Sequence, residues 1–337
     1  MLGIAFTFGP WLNVVLGATA VAGALGAALV QAQAIDLGSP PGRLIDIGGR
    51  RLHLNCTGQG LPTVVFENGG GAFSIDWALV QPAIARTTRA CSYDRARHAW
   101  SDPSPTAEMP AAVVRDLHAL LGAAGERPPY VLVGHSMGGI YVRIYERRYP
   151  GEVAGMVLVD ASHEDQLFTL FRGRGVTIGS LTSEQILETL PPGDVRVPVR
   201  PAQTGEPFNQ LPENLYTLRV ELERRLIASD SSQPVPRATV MEAVEGQRAA
   251  FAELQQARRD RPTEFSGRPL VALTRGANTP EALRSAHAEL AAASAKGRHA
   301  VIPNAGHEIQ LFQPAAVIEA IEDVLATVRT PGARARP

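Results

Sequence analysis

Apolar positions along the chain fall into two periods. Short unbroken apolar runs appear at Thr63 to Phe66, Ala90 to Tyr93, "YVLVG" at 130–134, "VAGMVLVD" at 153–160, "PLVALT" at 269–274 and "RHAVI" at 298–302. Each is too short for a buried helix and reads as a buried strand. Between and after them, residues 107–124, 139–149 and about 314–328 carry apolar side chains at helical spacing. "RLIDIGGRRLHLNC" alternates on both sides of Gly48-Gly49 and reads as a hairpin. Strands alternating with helices predict an α/β fold with a mostly parallel sheet covered on both faces.

Residues 161–262 break this rhythm. They hold helical patches ("SEQILETL", "ENLYTLRVELERRL", "VMEAVEGQRAAFAELQQARR") around a proline-rich middle, and nothing that resembles a buried strand. The expected organisation is therefore a core from 36–160 and 263–330, a helical cap at 161–262 roofing it, and a short tail at 331–337.

The first 35 residues differ again, because no charged side chain occurs before Asp36. Residues 11–30 have about the length of a bilayer-spanning helix, although alanine and glycine make them only moderately apolar. "AQA" at 32–34 offers the small-x-small pattern of a signal-peptidase site, but no basic residues precede the apolar run. The expectation is a retained anchor or an export signal. Either makes the protein membrane-anchored or exported, with membrane association through residues 11–30; a buried segment of a cytosolic protein is the bland alternative.

Composition narrows the function classes. A formal net charge of −1 leaves no electrostatic footprint for nucleic acid. Two cysteines, Cys56 and Cys91, with no Cys/His cluster, speak against a thiolate zinc site. Fixed-period repeats are absent, and nothing in the composition reports the oligomeric state.

The candidate chemistry begins at Gly134-His135-Ser136-Met137-Gly138. A G-x-S-x-G pattern alone is a weak signal, but here a strand precedes it and a helix follows. That is the setting of a nucleophile elbow, where a serine sits in a strained turn and small residues let strand and helix pass closely. Ser136 also falls at a helix N-terminus, which favours developing negative charge. An oxyanion needs two donors. The Met137 N–H is one candidate, and Gly70 in the "FENGGGAF" loop, with Gly69 and Gly71 beside it, is the second. His307 in "VIPNAGHEIQLFQP" lies late in the chain, between a strand and a helix, and is the candidate base. His135 is read as structural or pocket-lining. His98, His118, His163, His287 and His299 are read as surface or packing residues.

Taken together, "VGHSMGG", the glycine loop, "SYDR" with "WSD", "VLVD" and "NAGHEIQLFQP" resemble the α/β-hydrolase superfamily over residues 43–160 and 266–328. The resemblance implies an α/β-hydrolase fold and a Ser-acid-His triad. In most such hydrolases the acid follows the strand after the insertion, but here that place is taken near Asn278 and the nearest acid is Glu281. Some members place the acid at the end of the preceding strand, where this sequence has Asp160. A carboxylate at the edge of an apolar run needs a partner, and a histidine N–H is a natural one. Asp160 is therefore the expected acid, with Glu281 and then Asp165 as alternatives. Asp94 and Arg95 are expected to pair or hydrogen-bond near the site floor, in a structural role. Cys56 and Cys91 fall on strands that are neighbours in the hydrolase order, and either a disulfide or two buried thiols fits.

The expected activity is hydrolysis of a small-molecule carboxylic ester or related acyl compound through an acyl-enzyme, with no metal or organic cofactor required. The same triad also serves small-peptide aminopeptidases, C–C bond hydrolases and cofactor-free haloperoxidases. Epoxide hydrolases and haloalkane dehalogenases use a carboxylate nucleophile, which Ser136 argues against. The rival of another class is a non-catalytic, membrane-tethered hydrolase fold that binds a ligand. Apolar residues of the cap (Leu167, Phe168, Leu170, Phe171, Ile186, Leu190) suit a hydrophobic acyl or aryl group, although a cap needs apolar residues to fold in any case.

Overall fold

The computed structural model describes residues 39–169, 175–177, 182–189, 192–197, 199–260, 265 and 267–330. The apolar segment at 11–30, the tail at 331–337, and Leu170, Phe171 and Leu190 lie outside them. The side chains of Leu167, Phe168 and Ile186 are likewise outside what is described.

In chain order the strands are β1 Arg43–Asp46, β2 Arg51–Thr57, β3 Thr63–Glu67, β4 Ala90–Tyr93, β5 Tyr130–His135, β6 Val153–Val159, β7 Leu167–Thr169, β8 Gly175–Thr177, β9 Leu270–Arg275 and β10 Gly297–Ile302. Eight of them form one sheet in the order β1-β2-β4-β3-β5-β6-β9-β10. The β1–β2 and β2–β4 pairs are antiparallel and the remaining neighbours are parallel. The β1–β2 hairpin turns where Gly48 and Gly49 both have positive φ, and the Asp46 carboxylate accepts both of their N–H groups at 2.8 Å.

The unbroken apolar runs are explained by burial on two faces. Val65, Leu132, Met156 and Leu158 project into a core shared with α2 Pro110–Ala124 and α3 Gly138–Arg148. Val64, Phe66, Val131, Val133, Val157 and Val159 project into the opposite core, against α1 Gln81–Ile84 and α9 Pro314–Arg329. The side-chain period of two therefore survives, but both positions of the alternation are apolar. α2 is bounded as its sequence suggests, with Pro110 at its first position and Gly125 in the left-handed conformation just past its end.

Between β6 and β9 lie α4 Ser183–Thr189, α5 Glu213–Ser231 and α6 Arg237–Asp260. α6 buries Ala250, Phe251 and Leu254 in the core of α2 and α3, and α5 places Leu222 against Phe73 and Ile75. This stretch is not wholly helical: β7 and β8 pair as a small antiparallel ribbon. Three-residue strands hold too few positions to show a period, which is why the pattern of apolar residues does not reveal them. α7 Glu281–Ala292 joins β9 to β10, and α8 Ile309–Phe312 precedes α9.

Cys56 and Cys91 sit opposite each other on β2 and β4 and are joined in a disulfide. Among the described residues, no helix is long and apolar enough to cross a membrane.

Candidate active site

The carboxyl ends of β3, β5, β6, β9 and β10 all open onto one cavity of about 510 Å³. The chain order of the sheet reverses around β3, and such a switch point leaves a crevice between diverging connections.

Ser136 occupies the turn between β5 and α3 with φ 52°, a left-handed conformation that costs a non-glycine residue roughly 1–3 kcal/mol. Its N–H donates to the Val159 carbonyl at 3.1 Å, and its carbonyl accepts from Gly139 N at 2.9 Å and Ser162 N at 2.8 Å. The glycines around it are sterically required. A Cβ at Gly134 would lie 2.6 Å from the Gly138 carbonyl oxygen, and one at Gly138 would lie 2.5 Å from the Glu67 carbonyl oxygen. The strained turn predicted from "GHSMGG" is therefore present.

The glycine loop after β3 passes directly over this turn. A Cβ at Gly69 would lie 2.9 Å from His135 Nδ1 and 3.1 Å from Ser136 Cβ. Gly70 and Met137 line the cavity together with Ser136. The loop is clasped from behind by Arg95, which is buried and donates to the carbonyls of Asn68 (2.8 Å) and Gly69 (2.7 Å) and to Glu67 Oε1 (3.0 Å). Arg95 Nε also donates to Glu108 at 2.7 Å. Asp94 is held apart from Arg95: it accepts from the Ser74 N–H at 2.7 Å and pairs with His53 Nδ1 at 2.6 Å. Asp94 and Arg95 are thus both hydrogen-bonded as expected, in two separate networks and not with each other.

Asp160 follows β6 with φ 40° and is buried. Its N–H donates to the Leu273 carbonyl at 2.8 Å. Its carboxylate accepts from His307 Nδ1 at 2.6 Å, from Arg275 Nη1 at 2.5 Å and from the Arg275 backbone N–H at 3.1 Å. Burial acts to raise the carboxyl, but the His307 hydrogen bond and the charges of His307 and Arg275 outweigh it and hold the group well below the usual carboxylate range. Burial likewise disfavours the charged form of His307, yet Asp160 overcomes it and the imidazole sits above its ordinary value. His135, beside the serine, is pushed down to about 3 by burial and stays neutral. Its Nε2 lies 3.0 Å from the His307 carbonyl oxygen, so its N–H steadies the backbone of His307.

The structure thus brings Ser136, Met137, Gly70, Asp160 and His307 to one cavity. The alternative acids lie elsewhere. Glu281 is the exposed first residue of α7, where the helix N-terminus favours a carboxylate. Asp165 is exposed and pairs with Arg258 and, at 2.8 Å, with Gln255. Asn278, at the place where a carboxylate follows the strand in most hydrolases of this type, adopts φ 50° and also lines the cavity.

One wall of the cavity carries a network of charged side chains. Arg219 on α5 is buried over the Phe208 ring (3.5 Å) and donates to Asp76 Oδ1 and Glu223 Oε2, each at 2.9 Å. Arg200 donates to Glu223 Oε1 at 2.5 Å, and the Gln203 N–H to Glu223 Oε2 at 2.9 Å. Glu308 and Gln310 complete this wall. The sequence singles out none of these residues, nor Arg275. The one available signal was positional: Arg275 ends the strand after which an acid was expected.

Comparison with known proteins agrees with this fold. The family model described as "Alpha/beta hydrolase family" matches residues 64–320, and the chain belongs to that family. It is 36% identical over 129 residues to the "Probable transporter efuK" of Hormonema carpetanum, a match covering 36% of this chain and 18% of the relative. It is 32% identical over 135 residues to an uncharacterized vacuolar membrane protein of Saccharomyces cerevisiae, YNL115C, covering 35% and 21%. The chain spans well under half the length of these curated relatives. Among solved structures, the epoxide hydrolase CorEH superposes with a TM-score of 0.60 at 18% identity, over 85% of this chain and 98% of that one. The last likeness is one of fold. Membership of the family supports hydrolase activity.

Proposed function

We propose that the protein is a serine hydrolase acting on a small carboxylic ester or related acyl substrate. The observation that carries this reading is the buried 2.6 Å pair of Asp160 and His307 Nδ1, lining the same cavity as a serine held at φ 52° before a helix.

In this reading Ser136 Oγ attacks the substrate carbonyl as His307 Nε2 takes its proton. The oxyanion accepts the N–H groups of Met137 and Gly70, aided by the N-terminus of α3. Asp160 holds His307 in the tautomer with hydrogen on Nδ1 and stabilises the imidazolium. The imidazolium then protonates the leaving group, and a water activated by His307 releases the acyl group. A serine at the elbow disfavours the carboxylate-nucleophile chemistry of an epoxide hydrolase. Disulfides such as Cys56–Cys91 persist where glutathione does not reduce them, and this supports an exported or membrane-anchored protein, in keeping with the uncharged N-terminal segment.

The test is labelling by an organophosphonate probe, followed by a series of aryl esters of increasing acyl length. Labelling at Ser136, lost in Ser136→Ala, is the expected outcome. Wild-type protein that labels no better than Ser136→Ala overturns the reading and leaves a non-catalytic ligand-binding fold.

A further inference from the structure

The two oxyanion donors of the proposed mechanism stand on different elements. Met137 has helical backbone angles and directly precedes α3, so the elbow itself aims its N–H. Gly70 belongs to a run of three glycines, whose backbone has no steric preference for one direction. Among the described residues, neither N–H donates to another protein group. A trans peptide carries its C=O and its N–H in opposite directions. The aim of the Gly70 N–H is therefore set by whatever holds the Gly69 carbonyl.

Arg95 holds it. Its Nη1 and Nη2 donate to two successive carbonyls, Asn68 at 2.8 Å and Gly69 at 2.7 Å, and the Gly69 oxygen also accepts the Ala72 N–H at 3.3 Å. Gly69, Gly70 and Ser136 line the cavity, whereas Arg95 does not. The Gly69 carbonyl is thus turned away from the cavity, and the Gly70 N–H of the same peptide is turned toward it. The guanidinium is fixed in its turn by Glu108 Oε1 at 2.7 Å and Glu67 Oε1 at 3.0 Å. It also lies 5.4 Å from the ring centre of Tyr141 on α3. One buried side chain therefore touches both the loop that carries one donor and the helix that follows the other. We infer that Arg95 is a positioning residue: by gripping the Asn68 and Gly69 carbonyls it aims the Gly70 N–H at the oxygen that becomes negative when Ser136 attacks. This deepens the proposed function and rests on Ser136 being the nucleophile. The role calls for a guanidinium, because an ammonium cannot present two parallel N–H groups to adjacent carbonyls.

The experiment uses two probes that differ in one atom: diphenyl ethylphosphonate, with P=O, and its P=S analogue. Sulfur is the weaker hydrogen-bond acceptor, so only the oxygen probe draws fully on the oxyanion donors. Rates of Ser136 labelling in the full-length protein are normalised to each probe's hydrolysis in buffer. Wild type is expected to favour the oxygen probe by about a hundred-fold, within what two such donors supply. In Arg95→Lys that preference should fall by about ten-fold, because Met137 alone stays aimed. A misfolded fraction labels with neither probe and cancels in the ratio, so mere support of the fold leaves the preference unmoved. Thermal melts establish that the variant is folded. Arg95→Gln carries the test if Arg95→Lys is not: burial raises the Glu67 carboxyl to about 7 even beside Arg95, so without that charge Glu67 takes up a proton and one buried charge fewer needs a partner. A wild-type preference near one, or a preference unmoved in a folded variant, overturns the positioning role while leaving the nucleophile intact. Absence of labelling by either probe above the Ser136→Ala background overturns the nucleophile itself, and the role of Arg95 with it.

Discussion

Asp160 on the strand ends and Glu223 on α5 are both buried carboxylates, and each is held by two basic side chains. Their partners differ in kind. Glu223 binds two arginines, which keep their charge at any working pH, and one of them lies one turn away on its own helix. Asp160 binds one arginine and one histidine, and the histidine exchanges protons near neutrality. Glu223 therefore suits locking the insertion onto the core, by holding the Arg219 that also binds Asp76. Asp160 suits steadying a charge that comes and goes. The same functional group, equally buried, suits holding in one place and, in the proposed mechanism, proton transfer in the other.

Substitution should separate these two roles. Asp160→Asn is expected to lower kcat by roughly 10³- to 10⁴-fold, because the amide favours the wrong tautomer of His307. Glu281→Gln should stay within about two-fold of wild type. Steady-state kinetics on the best ester checks both, and a larger loss from Glu281→Gln in folded protein would transfer the acid role to α7. Next in size is Arg219→Met. It leaves Asp76 and Glu223 buried with fewer partners, and should destabilise the fold by about 3–5 kcal/mol, read as a drop in the denaturant midpoint at unchanged slope. Asp160→Asn should move that midpoint far less.

The smallest effect sharpens the comparison most. His307 must be neutral to act as a base, and its folded value lies above the ordinary 6.5, so kcat/KM should rise with pH through a limb above that point. Arg275 opposes protonation of His307. Arg275→Gln should therefore shift the limb to higher pH. A limb that stays or moves down would show that Arg275 serves only to anchor the Asp160 carboxylate.

Legibility in the sequence followed the range of each interaction. The elbow was readable because strand, small residues, serine and helix must be contiguous for the turn to close. Asp160 was readable by exclusion, from an apolar run ending in a carboxylate and an asparagine in the customary slot. The pairing of Arg219 with Asp76 spans 143 positions and leaves no local trace. Arg275 was obscured for another reason: its side chain turns toward Asp160 because β6 and β9 are neighbours, a fact of strand order. The apolar residues singled out in the insertion lie outside the described residues or side chains, so the described wall neither supports nor opposes a hydrophobic substrate group.

Ser136 and Asp160 share one more property, a backbone conformation that glycine or asparagine adopts more easily. Laboratory selection for heat resistance alone rewards relief of such strain, and these two positions offer it, as do Arg97 and Ala99. A thermostabilised lineage chosen without an activity screen is therefore expected to lose activity once exchanges reach Ser136 or Asp160. Consensus or design methods that score only foldability carry the same bias, so both positions should be fixed before any such library is drawn.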